Sequence, residues 1–215
     1  MSSRFARAGA IPAILVFALG APAALAQDNV LLIIADDMGV DRVGAYAEHP
    51  DPGNTPTIDG LAAQGVLFRN AWSNPLCSPT RATILTGRHG FRTGIGFAIR
   101  QALDWPGLAS TEVGLPDLLG PGYRCEVAGK WHLGTAQQSS AHPLTFGFDH
   151  HRGSLFNITN YYDWPKYVDG ELVGSTSYAT TDTVDDAIQL VETMPEPWFL
   201  WVGFNAPHGL SLIHI

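Results

Sequence analysis

The chain has 215 residues, 46% of them hydrophobic and 15% charged, and a formal net charge of −8. That composition can bury a substantial core and excludes a disordered chain, while the acidity excludes the basic footprint of a nucleic-acid binder. Two cysteines, Cys77 and Cys125, are too few for a disulfide-built scaffold.

Residues 1–26 read as an export signal, with Arg4 and Arg7 ahead of an apolar stretch from Ile11 to Leu19, then Ala24-Leu25-Ala26 before Gln27. Pro12 and the Gly20-Ala21-Pro22 break leave that stretch short of the about 20 residues a spanning helix needs. Membrane contact is therefore expected only through export, and the location is expected to be periplasmic or secreted.

Val30-Leu31-Leu32-Ile33-Ile34-Ala35 is an aliphatic run of the kind buried on both faces of a parallel sheet, and it ends at Asp36. Thr57 to Gln64 places Ile58, Leu61 and Ala62 at helical spacing, Gly65 stops that helix, and Val66-Leu67-Phe68 starts a second extended segment. A helix is expected to open at Cys77, because Pro79 is tolerated in a first turn and Ala82 to Leu85 continue it. Tyr123 to Ala128 reads as a third strand. From about Gly134 to Ser177 the pattern is irregular and aromatic, either a substrate-facing loop or a surface excursion with its own aromatic cluster. Val184, Ala187, Ile188 and Val191 form a helical stripe, and Trp198 to Phe204 a fourth strand. This alternation predicts an α/β fold with a mostly parallel central sheet flanked by helices. His150-His151 is not read as a metal pair, since adjacent strand residues point to opposite sides.

Ligand sites in such sheets lie outside the carboxyl ends of the strands. Asp36-Asp37 follows the first strand, Gly129-Lys130-Trp131-His132 the third, and Asn205-Ala206-Pro207-His208 the fourth. A helix starting at residue 77 adds unpaired N–H groups that favour an anion, with Arg81 one turn in. Asp36 and Asp37 offer the hard oxygens that calcium or magnesium prefers.

The run from Cys77 through Pro79 and Arg81 to Thr86-Gly87 resembles the signature of the formylglycine-dependent sulfatases, and the likeness extends from Asn29 to His208, closest in flavour to the arylsulfatase B-like branch. The resemblance implies an alkaline phosphatase/sulfatase-like fold and hydrolysis of a sulfated small molecule or glycan. It implies that a maturation enzyme oxidises Cys77 to formylglycine, whose hydrated form attacks sulfur. Asp36 and Asp37 would bind a divalent cation, usually calcium, with an oxygen of the modified residue 77. Arg81 would hold the charge of that residue, Lys130 the sulfate oxygens, His132 would stand near the formylglycine hydroxyl, and His208 near the leaving oxygen.

An aldehyde at Cys77 excludes a disulfide with Cys125, and the favoured reading leaves Cys125 a free core residue of its strand. Thr80 stands where the signature more often has Ser. The family's second metal pair, a further lysine and the smaller C-terminal subdomain are expected downstream, so residues 27–209 read as the N-terminal portion of the catalytic domain. Leu210-Ser211-Leu212-Ile213-His214-Ile215 can be encoded by a transposon end used in sequencing libraries and is expected to be a non-native tail. Two other readings stay open: a phosphoester or phosphonate hydrolase of the same superfamily, and a non-catalytic anion-binding fragment with Cys77 unmodified.

Overall fold

The computed structural model describes residues 28–100, 106–135 and 138–209. The expected export signal and the expected tail lie outside them. Among the described residues no helix is long and apolar enough to cross a membrane.

Six strands form one sheet: β1 (Val30–Asp36), β2 (Arg124–Gly129), β3 (His150–Gly153), β4 (Tyr167–Val168), β5 (Glu171–Leu172) and β6 (Trp198–Pro207). The order across the sheet is β1-β6-β2-β3-β4-β5. The first four in that order are parallel, and β4 and β5 extend the sheet as an antiparallel hairpin. The helices are α1 (Pro56–Gln64), α2 (Cys77–Thr86), α3 (Gly90–Thr93), α4 (Leu115–Leu119) and α5 (Ala179–Thr193). The expected mostly parallel α/β architecture is therefore present.

Each face of the sheet has its own apolar layer. On one, Ala82 and Leu85 of α2 pack with Val127, Trp131, Phe148, Phe199 and Trp201, and Leu32 and Ile34 of β1 join their edge. On the other, Ala187 and Leu190 of α5 and the following Met194 cover Ala128, Leu200 and Val202. Cys125 sits in the first layer as a free, buried thiol, and burial pushes its pKa up to about 11. The expected disulfide-free role of Cys125 holds.

Three expectations need correction. β1 is not buried on both faces: Leu31 and Ile33 are 50% and 54% exposed. They are in register with Leu200 and Val202 and so share the face of α5, but α5 packs over β6, β2 and β3. The stripe expected on α5 is likewise rotated. Ala179, Thr183 and Leu190 are the buried residues, while Val184, Ile188 and Val191 are exposed. Asp182, Asp186 and Gln189 are held by Lys166 and Arg152 on the β3–β4 side, which turns Val184, Ile188 and Val191 toward β1. An apolar strip shared by β1 and α5 is thus left uncovered by the described residues. Finally, Val66-Leu67-Phe68 is loop, with Val66 and Phe68 exposed. Three β-favouring residues with no strand to pair against do not make a strand.

The irregular segment contains β3 and the β4–β5 hairpin together with its own aromatic cluster, in which Tyr161 and Trp164 are buried with Ile158 and Ala179. His150 and His151 point apart as expected. His150 pairs with Asp169 at 2.6 Å, and His151 is fully buried, its Nε2–H donating to the Gly129 carbonyl at 3.3 Å.

Burial is the main cause that holds the His151 pKa down to about 4, against the opposing Gly129 bond and the nearby Asp169 carboxylate. Above the ordinary histidine range both folded and unfolded chains are neutral at this ring. Between about pH 6.5 and pH 4 only the unfolded chain takes up the proton, so the contribution of His151 to stability is lost as pH falls through that window, by up to about 3 kcal/mol. Urea unfolding at about pH 7 and about pH 4.5 should show a steeper acid loss for the native sequence than for His151→Gln. Equal slopes would remove His151 as the cause.

Candidate active site

The carboxyl ends of β1, β2 and β6 and the first turn of α2 meet at one place. Backbone geometry makes this possible. Gly129 has φ 89°, and a Cβ there would lie 2.1 Å from the Gly203 carbonyl oxygen. A Cβ on Gly203 would lie 2.4 Å from the Lys130 carbonyl oxygen and 2.7 Å from an Arg81 guanidinium nitrogen. Both contacts are closer than real Cβ atoms approach, so glycine at these two positions lets β2 and β6 close together while the arginine passes between them.

Beyond Gly129 the chain is held from two sides. Lys130 N–H donates to the Gly203 carbonyl at 2.6 Å, and the N–H groups of Trp131 and His132 donate to Ser154 and Leu155 at 2.9 and 3.0 Å. Trp131 is buried against Trp201, Phe146 and Phe148, and its Nε1–H donates to His142 at 2.9 Å. His132 adopts φ 59°, a left-handed conformation uncommon for a non-glycine residue and found disproportionately at functional sites.

These supports aim four charged groups at one another. Lys130 Nζ is ion-paired and hydrogen-bonded to Asp36 Oδ2. Arg81 approaches the same oxygen at 3.6 Å while donating to the Lys130 carbonyl at 2.5 Å and the Phe204 carbonyl at 3.3 Å. Relative exposures are 0% for Lys130, 1% for Arg81 and 4% for Asp36. Two buried cations therefore share one buried carboxylate. Burial lowers the pKa of both cations; Arg81 lowers that of Lys130 further, and Asp36 opposes the change in each. Asp37, also left-handed at φ 66°, is exposed and lies 3.7 Å from His208 Nε2.

Cys77 is the first residue of α2, with Leu76 as an N-cap that offers no side-chain acceptor. Its Sγ lies 3.2 Å from His132 Nδ1. His132 Nε2 lies 2.8 Å from the Ile99 carbonyl, which can only accept, so Nε2 carries the proton and Nδ1 faces residue 77 as an acceptor. Burial, helped by Lys130 and Arg81, takes the His132 pKa down to about 3, against the Ile99 bond and Asp36. The imidazole is neutral at neutral pH.

A cavity of about 470 Å³ opens on Asp36, Asp37, Cys77 and Arg81. All seven residues expected at the site fall in this region, in three contacts: Asp36 with Arg81 and Lys130, Cys77 with His132, and Asp37 with His208. The carboxylates of Asp36 and Asp37 facing one cavity with residue 77 suit a hard divalent cation in donor chemistry. They supply only part of a coordination sphere, because no group of three or more His, Cys, Asp or Glu is arranged for a metal among the described residues.

Three supports were missed in the sequence. The Ile99 carbonyl sets the His132 tautomer, Ser78 Oγ fixes that loop by accepting from Ile99 N–H at 3.0 Å, and Tyr161 OH reaches the Asn205 and His208 carbonyls at 2.8 and 2.9 Å. A backbone acceptor leaves no mark on residue type, and only the small residue after Cys77 hinted at a close approach.

Residues 28–212 match the family profile described as Sulfatase. N-acetylgalactosamine-6-sulfatase of Homo sapiens is 40% identical over 220 residues, covering 89% of this chain and 41% of that protein. The Sus scrofa protein of the same name is 35% identical, covering 89% and 42%. Among solved structures, Ps i-CgsB in complex with k-i-k-neocarrahexaose aligns with a TM-score of 0.76 at 30% identity, covering 85% of this chain and 46% of that one. BT4656 in complex with its substrate D-glucosamine-2-N,6-O-disulfate aligns with a TM-score of 0.67 at 28% identity, covering 84% and 35%. The chain spans about two fifths of the length of the curated relatives it matches. With the profile running along nearly all the described residues, from β1 past β6, the chain belongs to the sulfatase family.

Proposed function

We propose that residues 27–209 form the N-terminal portion of the catalytic domain of an exported sulfatase, which hydrolyses sulfate monoesters through a formylglycine made from Cys77 and a bound divalent cation. The observation that carries this reading is the excess of buried positive charge: Arg81 and Lys130 against Asp36 alone. Buried charges are costly unless paired, so the arrangement is completed by an anion at the cavity. The unpaired N–H groups of the first turn of α2 favour the same sign.

Each side chain then has a task. Asp36 keeps Lys130 protonated in surroundings that disfavour its charge, and Lys130 and Arg81 offset charge on the non-bridging sulfate oxygens as it grows in the transition state. His132 Nδ1, fixed toward residue 77, accepts a proton from the group on that residue. His208 stands beside Asp37 at the exposed side and donates a proton to the departing alcohol oxygen. Formylglycine supplies an oxygen nucleophile that is regenerated without water having to attack sulfur. Asp36 and Asp37, with an oxygen of the modified residue 77, would hold calcium or magnesium, which adds positive charge where the sulfate binds. The maturation enzyme that oxidises Cys77 is the implied protein partner. Relatives named as N-acetylgalactosamine-6-sulfatases, and a neighbour bound to a sulfated glucosamine, support a sulfated glycan as substrate.

Two measurements test this reading. The peptide containing residue 77, from protein secreted by its native host, should weigh about 18 Da less than the cysteine form, one sulfur and two hydrogens being replaced by one oxygen. Unmodified cysteine throughout would sink the formylglycine mechanism. In the full-length protein, Lys130→Gln should lower kcat/KM for an aryl sulfate roughly 100- to 1,000-fold. It should also lower stability, because Asp36 is left buried without its partner. Turnover within threefold of the native rate, or faster hydrolysis of the matched phosphate ester by the native protein, would overturn the assignment to sulfate.

A further inference from the structure

His208 stands beyond the point at which the sheet holds β6. The ladder between β6 and β2 ends at Gly203, and the register with β1 jumps from Ile34 opposite Gly203 to Asp36 opposite Pro207. Phe204, Asn205 and Ala206 thus have no register partner on either neighbouring strand. A strand end released in this way must be fixed from outside the ladder if the next side chain is to keep its place.

The fixing comes from the irregular segment before α5. Tyr161 is buried, and its hydroxyl lies 2.8 Å from the Asn205 carbonyl oxygen and 2.9 Å from that of His208. His208 N–H donates to the same Asn205 carbonyl at 3.1 Å, so Asn205 to His208 form a hydrogen-bonded turn whose first and last carbonyls face one phenol proton. Ala206, inside the turn, packs on the cluster of Ile158, Tyr161, Trp164 and Ala179. Asn205 is also anchored through its side chain, whose Nδ2–H donates to Ser154 Oγ at 3.1 Å. Tyr161 is itself held at the start of α5: its carbonyl accepts from Ala179 N–H at 2.8 Å, and its ring centroid lies 6.0 Å from that of Tyr178.

The imidazole of His208 is less constrained than its backbone. It is 32% exposed and stands 3.7 Å from Asp37 Oδ2, beyond hydrogen-bond length. The backbone therefore decides where the ring goes, and a misplacement of about 1 Å in a reacting group can cost on the order of 100-fold in rate.

Resting on the sulfatase reading, in which His208 delivers a proton to the departing alcohol, we propose that Tyr161 is a positioning residue whose hydroxyl sets where the His208 imidazole stands relative to the leaving oxygen. The aromatic cluster between residues 158 and 179 thereby has a task at the site without touching substrate. Its effect reaches the reaction only where the leaving group needs a proton: a weakly basic phenolate departs unaided, and a more basic oxygen does not.

The test uses the full-length protein and two esters of similar shape, 4-nitrophenyl sulfate, whose phenolate leaves readily, and phenyl sulfate, whose phenolate is far more basic. Tyr161→Phe keeps the ring and removes only the hydroxyl. It should lower kcat/KM for phenyl sulfate about tenfold or more, and that for 4-nitrophenyl sulfate no more than about threefold. In a His208→Ala background the same substitution should add no further loss, since no imidazole is left to place. Amide hydrogen exchange gives a readout without substrate: Tyr161→Phe should speed exchange at His208, whose N–H closes the turn, and leave β2 at the native rate. Equal losses on the two esters, an undiminished loss in the His208→Ala background, or native exchange at His208 would each overturn the proposal. Failure of the sulfatase reading is separable: the native protein would hydrolyse neither ester, while exchange at His208 still depended on Tyr161, and the catalytic role would fall with that reading.

Discussion

The site depends on the sharing of one buried carboxylate, Asp36, by two buried cations, Arg81 and Lys130. Removing such groups from water is expensive, and Asp36 offsets the cost for only one unit of charge. The three residues come from three places in the chain: the end of β1, the first turns of α2 and the residue after β2. They can meet only if β1, β6 and β2 are parallel and in close register, so that their carboxyl ends coincide. Gly129 and Gly203 are where that requirement is most acute, since a methyl group at either would push apart strand ends that the arginine needs close. The sheet order and the two glycines are therefore constraints imposed by the electrostatics of the site as much as by the packing of the core.

Legibility in the sequence followed the range of the interaction. Asp36, Lys130 and His132 could be placed because they stand at or just beyond the ends of aliphatic strands, and the opening of α2 at Cys77 could be placed because Pro79 fits a first turn. These are local signals. The faces of β1 and α5 were misjudged because which side of an aliphatic run is covered depends on where distant elements dock. Arg152 and Lys166, from the β3–β4 region, pull the acidic flank of α5 toward themselves and set the rotation of the helix. Nothing within residues 179–193 announces that. The same limit applies at His132, whose useful nitrogen is chosen by a backbone carbonyl at Ile99, a position where any residue type would serve.

The loop carrying Ile99 also ties the first turn of α2 to the residue that faces it. Ser78, the second residue of α2, accepts from Ile99 N–H, and the Ile99 carbonyl accepts from His132. One short segment thereby positions the imidazole that faces residue 77. A shift of the Ile99 carbonyl would be felt at His132 Nδ1, because the Nε2 proton that fixes the tautomer is held by that backbone oxygen. In an acidic protein, long-range attraction for an anionic glycan is weak, and the positive charge has to be gathered locally. The stretch from 60 to 103 does part of this, carrying five arginines, Arg81 of the cavity among them, and no carboxylate, while Lys130 comes from outside it. The field at the cavity is therefore set by two cations from distant parts of the chain that meet on Asp36.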